Sequence, residues 1–171
     1  MLEFRTQLTS EEITHYNLDK NPNIEWYWVT VNEEDLKNKI HRYIRAQPSD
    51  SAWDWHKITS ETCLARFAKA LVSMNFQCND NFLQEHVNQI KVTYENLDVK
   101  KLLEPNKPWQ YIGHGKDGPF MIWDGVHRQT AVFIYYFIKN SSNFEPVQHA
   151  VCGLTSSTEG DLGRVPTNFC D

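Results

Sequence analysis

One short segment of this 171-residue chain brings together the residue types that bind anions. Asp124 and Gly125 follow an apolar run, and His127 and Arg128 come directly after them in the sequence WDGVHR. If a strand ends and a helix begins here, the first N–H groups of the helix are unpaired and attract negative charge. Glycine lets a ligand approach the backbone, and arginine donates two parallel hydrogen bonds to a phosphate or carboxylate. The segment therefore predicts an anion site made of Gly125, Val126, His127 and Arg128.

Two residues of this segment are also candidates for catalysis. His127 would donate a proton or contact the ligand near neutral pH, and Asp124 would act in acid–base chemistry or hold a metal ion carried by a polyphosphate. We therefore assign Asp124 and His127 as candidate catalytic residues, and Asp124 as the candidate metal ligand. The same spacing also suits a structural turn, in which Asp124 caps the helix and Arg128 pairs with a nearby acid. A metal site that adds His114 or His149 has no recognised spacing.

Further candidates lie elsewhere in the chain. His114 and Lys116, in the glycine-rich turn GHGKDG, would fold over the ligand or remain solvated. The acidic residues 33–35 are candidates for a catalytic base, or they complement the dipole of a helix that starts there. The tryptophan-rich loop at 53–55 would serve as a lid beside a pocket or pack into the core.

Hydrophobic periodicity predicts the elements that must position these residues. Strands are predicted at 24–31, 109–112, 120–123 and 146–154, and the second and third of them form a hairpin. Helices are predicted around 33–44, 60–76, 82–94 and 126–140. The first twenty residues are expected to be irregular, and residues 156–171 to be a surface tail. Segregated helices and strands predict the α+β class.

The first predicted helix has a start and an end signal. Asn32 offers an N-cap, and Pro48 would stop the helix. Basic residues gather toward its C-terminal end, where the helix dipole favours positive charge: Lys39, Arg42 and Arg45. We expect a single domain over residues 1–171, with a helical segment at 32–96 and a phosphate-binding core at 109–155.

The order of strand, DGxHR, alanine-bearing apolar helix and strand resembles the core of the ParB/sulfiredoxin-like superfamily. The residues that carry the resemblance are Trp123, Asp124, Gly125, Val126, His127, Arg128, Thr130 and Ala131. In that superfamily the turn and its arginine hold the phosphates of a nucleotide. The resemblance covers residues 109–155, and it implies that the chain binds ATP, ADP or CTP together with Mg²⁺.

Departures from the superfamily narrow the implied function. Sulfiredoxins carry a catalytic cysteine directly before the His-Arg pair, where this chain has Val126. Partition proteins continue with a helix-turn-helix domain, whereas only residues 156–171 follow the last predicted strand here. The resemblance then implies a nucleotide-dependent, kinase-like phosphotransferase acting on a small hydroxylated metabolite such as an amino acid. The alternatives are a non-catalytic regulatory module that binds a nucleotide or a carboxylate, and a ParB-like nuclease.

Composition and charge bear on partners and location. With 17 basic and 22 acidic residues the net charge is −5, which argues against nucleic acid as the main partner. The N-terminus lacks a secretory pattern, and the longest apolar run is too short to span a bilayer. We therefore expect a cytoplasmic chain with a small-molecule substrate and no membrane partner. The four cysteines form no CxxC pair, so we expect a reduced chain, with a disulfide as the alternative.

Overall fold

Helices and strands in the computed structural model confirm the α+β class. The structure describes residues 2–43, 61–77, 81–98 and 107–160, together with residues 162, 165, 166 and 170. Its strands are β1 (Glu3–Gln7), β2 (Ile24–Val31), β3 (Ile40–Tyr43), β4 (Glu61–Cys63), β5 (Trp109–Gly113), β6 (Phe120–Asp124) and β7 (Val147–Thr155). Its helices are α1 (Ser10–His15), α2 (Glu33–Asn38), α3 (Leu64–Ser73), α4 (Asn81–Glu95) and α5 (Val126–Phe133), which continues as a π-helix over Ile134–Ile138. The strands form one mixed sheet in the order β1-β2-β7-β5-β6-β3-β4.

The sheet has an apolar core on each face. Because successive strand residues point to opposite faces, Tyr111 packs into one core and Ile112 into the other. Helices α2 to α5 cover the first face through buried residues that include Leu36, Phe67, Val87 and Val132. On the second face, α1 and the segment after β7 contribute Ile13, Leu162 and Val165. Four of the helices and the C-terminal segment therefore lie on opposite faces of the sheet.

Two neighbouring strands run in the same direction next to the predicted anion site. β3 pairs in parallel with β6, so that Ile40 lies opposite Phe120 and His41 opposite Met121. β6 also pairs antiparallel with β5, which in turn lies parallel to β7. The carboxyl ends of β3 and β6 consequently meet at one edge of the sheet, beside the start of α5. Ligands commonly bind at such an edge in open α/β sheets.

Most of the elements predicted around this edge are confirmed. The strand predicted at 24–31 is β2, and the predicted hairpin is formed by β5 and β6. The helix predicted at 82–94 is α4, and the helix predicted after Gly125 is α5. The last predicted strand is β7, which extends to Thr155.

The first predicted helix is wrong beyond Asn38. It starts at the predicted cap, where Asn32 and Asp35 form a reciprocal capping box, but α2 is only six residues long and β3 begins at Ile40. Pairing of β3 with β4 and β6 outweighs the helical spacing, because β-branched and aromatic residues also suit strands. Arg42 is therefore a buried strand residue and does not complement a helix dipole.

Two other predicted helices have different bounds. The second begins at Leu64 rather than at Ser60, because Glu61–Cys63 pairs with β3 as strand β4. The helix predicted to reach residue 140 ends as a π-helix at Ile138. The start of α5 at Val126 agrees with the prediction, and this first turn of the helix forms the candidate site.

Both ends of the chain have more structure than predicted. The first twenty residues contain β1 and α1, and Thr9 forms a capping box with Glu12 at the start of α1. The pattern TSEE at 9–12 is the sequence signal for this cap. The predicted surface tail is wrong for Leu162 and Val165, which are buried on the second face of the sheet.

The expectation of a reduced chain is wrong. Cys63 and Cys170 form a disulfide that joins β4 to the C-terminal segment. Their separation of 107 residues provides no local spacing signal. Cys152 is a free thiol buried in β7.

Some predictions fall outside the described residues. They concern the end of the first predicted helix at 44–48, the tryptophan-rich loop at 53–55, Ser60 and Cys78. In the described part of the chain, every helix is too short or too polar to cross a membrane.

Candidate functional site

The predicted junction of strand, glycine and helix is confirmed. β6 ends at Asp124, and Gly125 occupies the N-cap of α5 in the left-handed conformation, with φ 96° and ψ 25°. The carbonyl of Gly125 accepts the first intrahelical hydrogen bond, from the N–H of Gln129 at 2.9 Å. The three residues between them therefore have first-turn N–H groups without an intrahelical acceptor, and the helix dipole makes this end positive.

Replacing Gly125 by alanine is expected to destabilise the fold by about 1–3 kcal/mol and to weaken anion binding. Side chains rarely tolerate φ +96°, and an added Cβ would lie 2.9 Å from Nη2 of Arg128. Chemical denaturation and ligand titration measure the two effects. Gly160→Ala is the matched control, because Gly160 has φ +56° but an added Cβ there would meet nothing within 4 Å. An equal loss of stability in both variants would contradict a specific role for the contact with Arg128.

Arg128 lies across the turn and makes only a long ion pair with the carboxylate of Asp124. Its side chain is 23% exposed, and its Nη2 is 4.0 Å from Oδ2 of Asp124, whose side chain is 51% exposed. A long, partly solvated ion pair of this kind contributes little stability. The guanidinium of Arg128 is thus available to an incoming anion, while Asp124 lies at the rim of the site.

A row of three polar side chains lies beside the turn, and two of them, Arg42 and His86, are absent from the predicted site. Nη2 of Arg42 in β3 is 3.2 Å from Nε2 of His86 in α4. Nδ1 of His86 is in turn 2.9 Å from Nε2 of His127 in α5. Arg42 is missed because it is predicted at a helix end, and His86 because it belongs to no motif. Packing of α4 against α5 and the position of β3 beside β6 bring the three together.

The guanidinium of Arg42 is buried without a counter-ion in the described structure. Arg42 is 0% exposed, and its Nε and Nη1 have no hydrogen-bond partner among the described residues. Its Cζ lies 3.5 Å from the centroid of the Phe67 ring, a favourable cation–π contact that supplies no counter-ion. Burial lowers the pKa of Arg42 to about 9. A buried cation with unused N–H groups is costly unless an anion pairs with it, so this arrangement favours an anionic ligand.

The row also determines where the histidine protons lie. A guanidinium only donates hydrogen bonds, so Nε2 of His86 accepts from Arg42 and the proton of His86 is on Nδ1. This Nδ1–H donates to Nε2 of His127, whose own proton is then on Nδ1. Burial and the charge of Arg42 lower the pKa of His86 to about 3 and also lower the pKa of His127. Neutral His127 therefore keeps an Nδ1–H donor for a further acceptor.

Two buried polar side chains, Tyr111 and Gln129, hold the turn in position from the side of the sheet. The hydroxyl of Tyr111 in β5 donates to Oε1 of Gln129, and Nε2 of Gln129 is 3.4 Å from the carbonyl oxygen of Asp124. Tyr111 and Gln129 are both buried. This chain of contacts links the sheet to the end of β6 and to the first turn of α5.

His114 and Lys116 do not join the turn. They lie in the connection that precedes β6, whereas Asp124 ends β6, so the strand separates them from Asp124 by roughly 13 Å. Nδ1 of His114 instead faces the carbonyl oxygen of Thr155 at 3.0 Å. The ammonium of Lys116 lies over the rings of Phe4 and Tyr27, at 5.6 and 5.2 Å from their centroids.

The acidic residues at 33–35 have structural partners. Glu33 pairs with Lys37 one turn along α2, and buried Asp35 belongs to the capping box with Asn32. Glu34 is exposed in the first turn of the helix. These contacts match the second interpretation of the acidic residues, in which they stabilise the start of a helix.

Asp124 suits a magnesium ion only when the ligand supplies the other oxygens. Mg²⁺ is usually held by one or two carboxylates together with substrate phosphates, and Asp124 offers one carboxylate at an exposed rim. The cluster of three possible metal ligands in the described residues lies elsewhere, at His41, Cys63 and Cys170.

Comparisons with known proteins do not supply a function. No family model matches the chain, and neither the curated proteins nor the solved structures contain a match to it. The chain's own residues are therefore the evidence for what it does.

Proposed function

We propose that this chain is a nucleotide-dependent phosphotransferase that acts on a small hydroxylated metabolite such as an amino acid. The observation that carries the proposal is the buried guanidinium of Arg42 beside the positive end of α5, two of whose nitrogens have no partner among the residues that the structure describes. A phosphate group would supply the missing negative charge and acceptors. The resemblance of β6, the DGVHR turn, α5 and β7 to a ParB/sulfiredoxin-like core supports a nucleotide as its source.

The proposed site stabilises charge with groups that are already in place. Phosphoryl transfer depends mainly on positioning and on neutralising the charge of the transferred group. Arg42 would do this from the buried side and Arg128 from the rim, while Nδ1–H of His127 and the first-turn N–H groups of α5 would donate hydrogen bonds. Because the histidines are held in one tautomeric arrangement by Arg42, little reorganisation is needed when a phosphate binds.

Asp124 is the carboxylate assigned to the acceptor side. It would take the proton of the attacking hydroxyl, or it would hold the Mg²⁺ that accompanies ATP, ADP or CTP. The ion, when bound, would neutralise phosphate charge. Asp124→Asn should then abolish phosphoryl transfer while nucleotide binding in the absence of magnesium persists.

Non-catalytic binding of a nucleotide or a carboxylate is the second candidate function. It is favoured by one observation, the hydrogen-bond row that leaves His127 as a donor and so removes it as a base. A regulatory module would need the anion site but no proton acceptor. Turnover distinguishes the two functions, because both predict binding.

The direct experiment is incubation with ATP, ADP or CTP, Mg²⁺ and a panel of amino acids, followed by mass spectrometry. A phosphorylated amino acid supports the phosphotransferase. Thermal stabilisation by the nucleotide without any product supports the binding module, since a ligand of the folded state raises its apparent stability. The absence of both thermal stabilisation and phosphorylated product would contradict both functions.

Replacing Arg128 by alanine is expected to weaken nucleotide binding by roughly 10- to 100-fold, the equivalent of about 1.5–3 kcal/mol for hydrogen bonds to a charged group. Isothermal titration calorimetry measures the change. Arg5→Ala is a suitable control. Arg5 is an exposed arginine on β1, the edge strand at the opposite end of the strand order from β3 and β4. Unchanged affinity in Arg128→Ala would remove this residue from the site.

A further inference from the structure

Three residues with metal-binding side chains converge on the second face of the sheet. His41 in β3 lies directly opposite Cys63 in β4, and Nε2 of His41 is 3.7 Å from Sγ of Cys170. One ligand atom from each residue can be chosen so that all three lie within 4.8 Å of one another. Because His41 and Arg42 are adjacent strand residues, they point to opposite faces, and this cluster is separate from the anion site.

We propose that His41, Cys63 and Cys170 bind a soft divalent metal ion such as Zn²⁺ when their disulfide is reduced. Thiolate and imidazole are the ligands that zinc prefers, at about 2.3 Å for sulfur and about 2.0–2.1 Å for nitrogen. Ligand atoms around a tetrahedral ion are then roughly 3.3–3.8 Å apart. The three side chains are already gathered to nearly this separation.

The backbone holds the ligands near each other independently of the disulfide. Ladder pairing of β3 with β4 places His41 beside Cys63. The N–H of Cys170 donates to the carbonyl of Asn38 at 3.2 Å, next to the start of β3. His41 and Cys63 are buried, whereas Cys170 is only half-buried and leaves a path for an ion. Three protein ligands leave a fourth position for water or another small ligand.

The chemical steps balance as follows. A phosphine reductant with water supplies two electrons and two protons to the disulfide, which becomes two thiols, while the phosphine becomes its oxide. Zinc then displaces the two thiol protons and binds both sulfurs and an imidazole nitrogen. The ion would replace the disulfide as the link between β4 and the C-terminal segment. In a reducing compartment the two thiols would be available to the ion in place of the disulfide.

Cobalt is the probe for this site, because Co²⁺ bound to thiolate gives a charge-transfer absorption band. The full chain is reduced with a phosphine, freed of reductant without air, and titrated with Co²⁺ and then with Zn²⁺ as competitor. We expect one equivalent of Co²⁺ to bind with a thiolate band that Zn²⁺ removes. The oxidised chain should show no band. A reduced, folded chain without the band would overturn the proposal.

Variants identify the ligands. Cys63→Ser and Cys170→Ser should each lose most of the band, and His41→Ala should weaken binding by at least about tenfold. Cys152→Ala is the matched control and should keep the band. Cys152 is buried in β7 on the first face of the sheet, which helices α2 to α5 cover. All variants carry Cys78→Ser, and circular dichroism checks that each is folded. Retention of the full band in Cys63→Ser and Cys170→Ser would contradict the assignment.

A measurement on the natural sequence covers the case in which the serine variants do not fold. Reduced chain is treated with iodoacetamide with and without Zn²⁺, and labelling of each cysteine is followed by peptide mass spectrometry. Zinc should slow the labelling of Cys63 and Cys170 at least about tenfold. Equal labelling rates with and without zinc would also overturn the proposal.

Discussion

Replacing Arg42 by methionine is expected to abolish nucleotide binding while leaving the ligand-free protein as stable as before, or more stable by about 1–4 kcal/mol. The guanidinium is buried and two of its nitrogens lack partners among the described residues. An apolar side chain of similar length removes this desolvation cost. The lost contact with the Phe67 ring, worth about 2 kcal/mol when desolvated, opposes part of the gain.

Combined measurement of stability and binding makes this result informative. Urea denaturation of the ligand-free variant reports the free energy of unfolding, and calorimetry with ATP reports binding. Arg128→Met is the comparison, because this residue is partly exposed and its replacement should weaken binding without stabilising the fold. A loss of more than about 2 kcal/mol in Arg42→Met would mean that Arg42 is a satisfied structural cation, and the anion site would lose its main support.

Acidification below pH 6.5 is expected to destabilise the protein through His86. Burial, the charge of Arg42 and the neighbouring His127 lower the pKa of His86 from 6.5 to about 3 in the folded protein. Between these values the unfolded chain binds a proton that the folded chain does not, so stability rises with pH. The contribution of His86 is fully present above pH 6.5. Below pH 6.5 this contribution to stability falls by at most about 1.4 kcal/mol for each pH unit. The decrease stops near pH 3, where folded His86 also becomes protonated.

A histidine replacement separates this effect from the protonation of carboxylates. His86→Gln retains groups that can accept from Arg42 and donate to His127, but it does not titrate. The dependence of the unfolding free energy on pH between 6 and 4 should become shallower by about 1 kcal/mol per unit. His15→Gln, which removes an exposed histidine at the end of α1, is the control variant for the loss of a histidine far from Arg42 in the sequence. Identical profiles for His86→Gln and the natural protein would show that folding does not lower the pKa of His86.

Local chemistry explains the predictions that succeeded. The hairpin of β5 and β6, the left-handed Gly125 and the start of α5 depend on residues that are neighbours in sequence. Glycine adopts a positive φ at little cost, and the helical pattern that follows it marks the start of a helix. The helix predicted through residue 44 failed for the opposite reason. Its apolar spacing suits a helix and a strand equally, and only pairing with β4 and β6 decides between them.

The sequence by itself determined the DGVHR turn and, through it, one half of the proposed anion site. The tertiary structure alone decided the other half, because Arg42 and His86 are 44 residues apart and His86 and His127 are 41 apart. The same holds for Cys63 and Cys170, which are separated by 107 residues. Contacts at such separations depend on strand order and on which face each residue occupies, and these follow from packing of the whole sheet rather than from any local pattern.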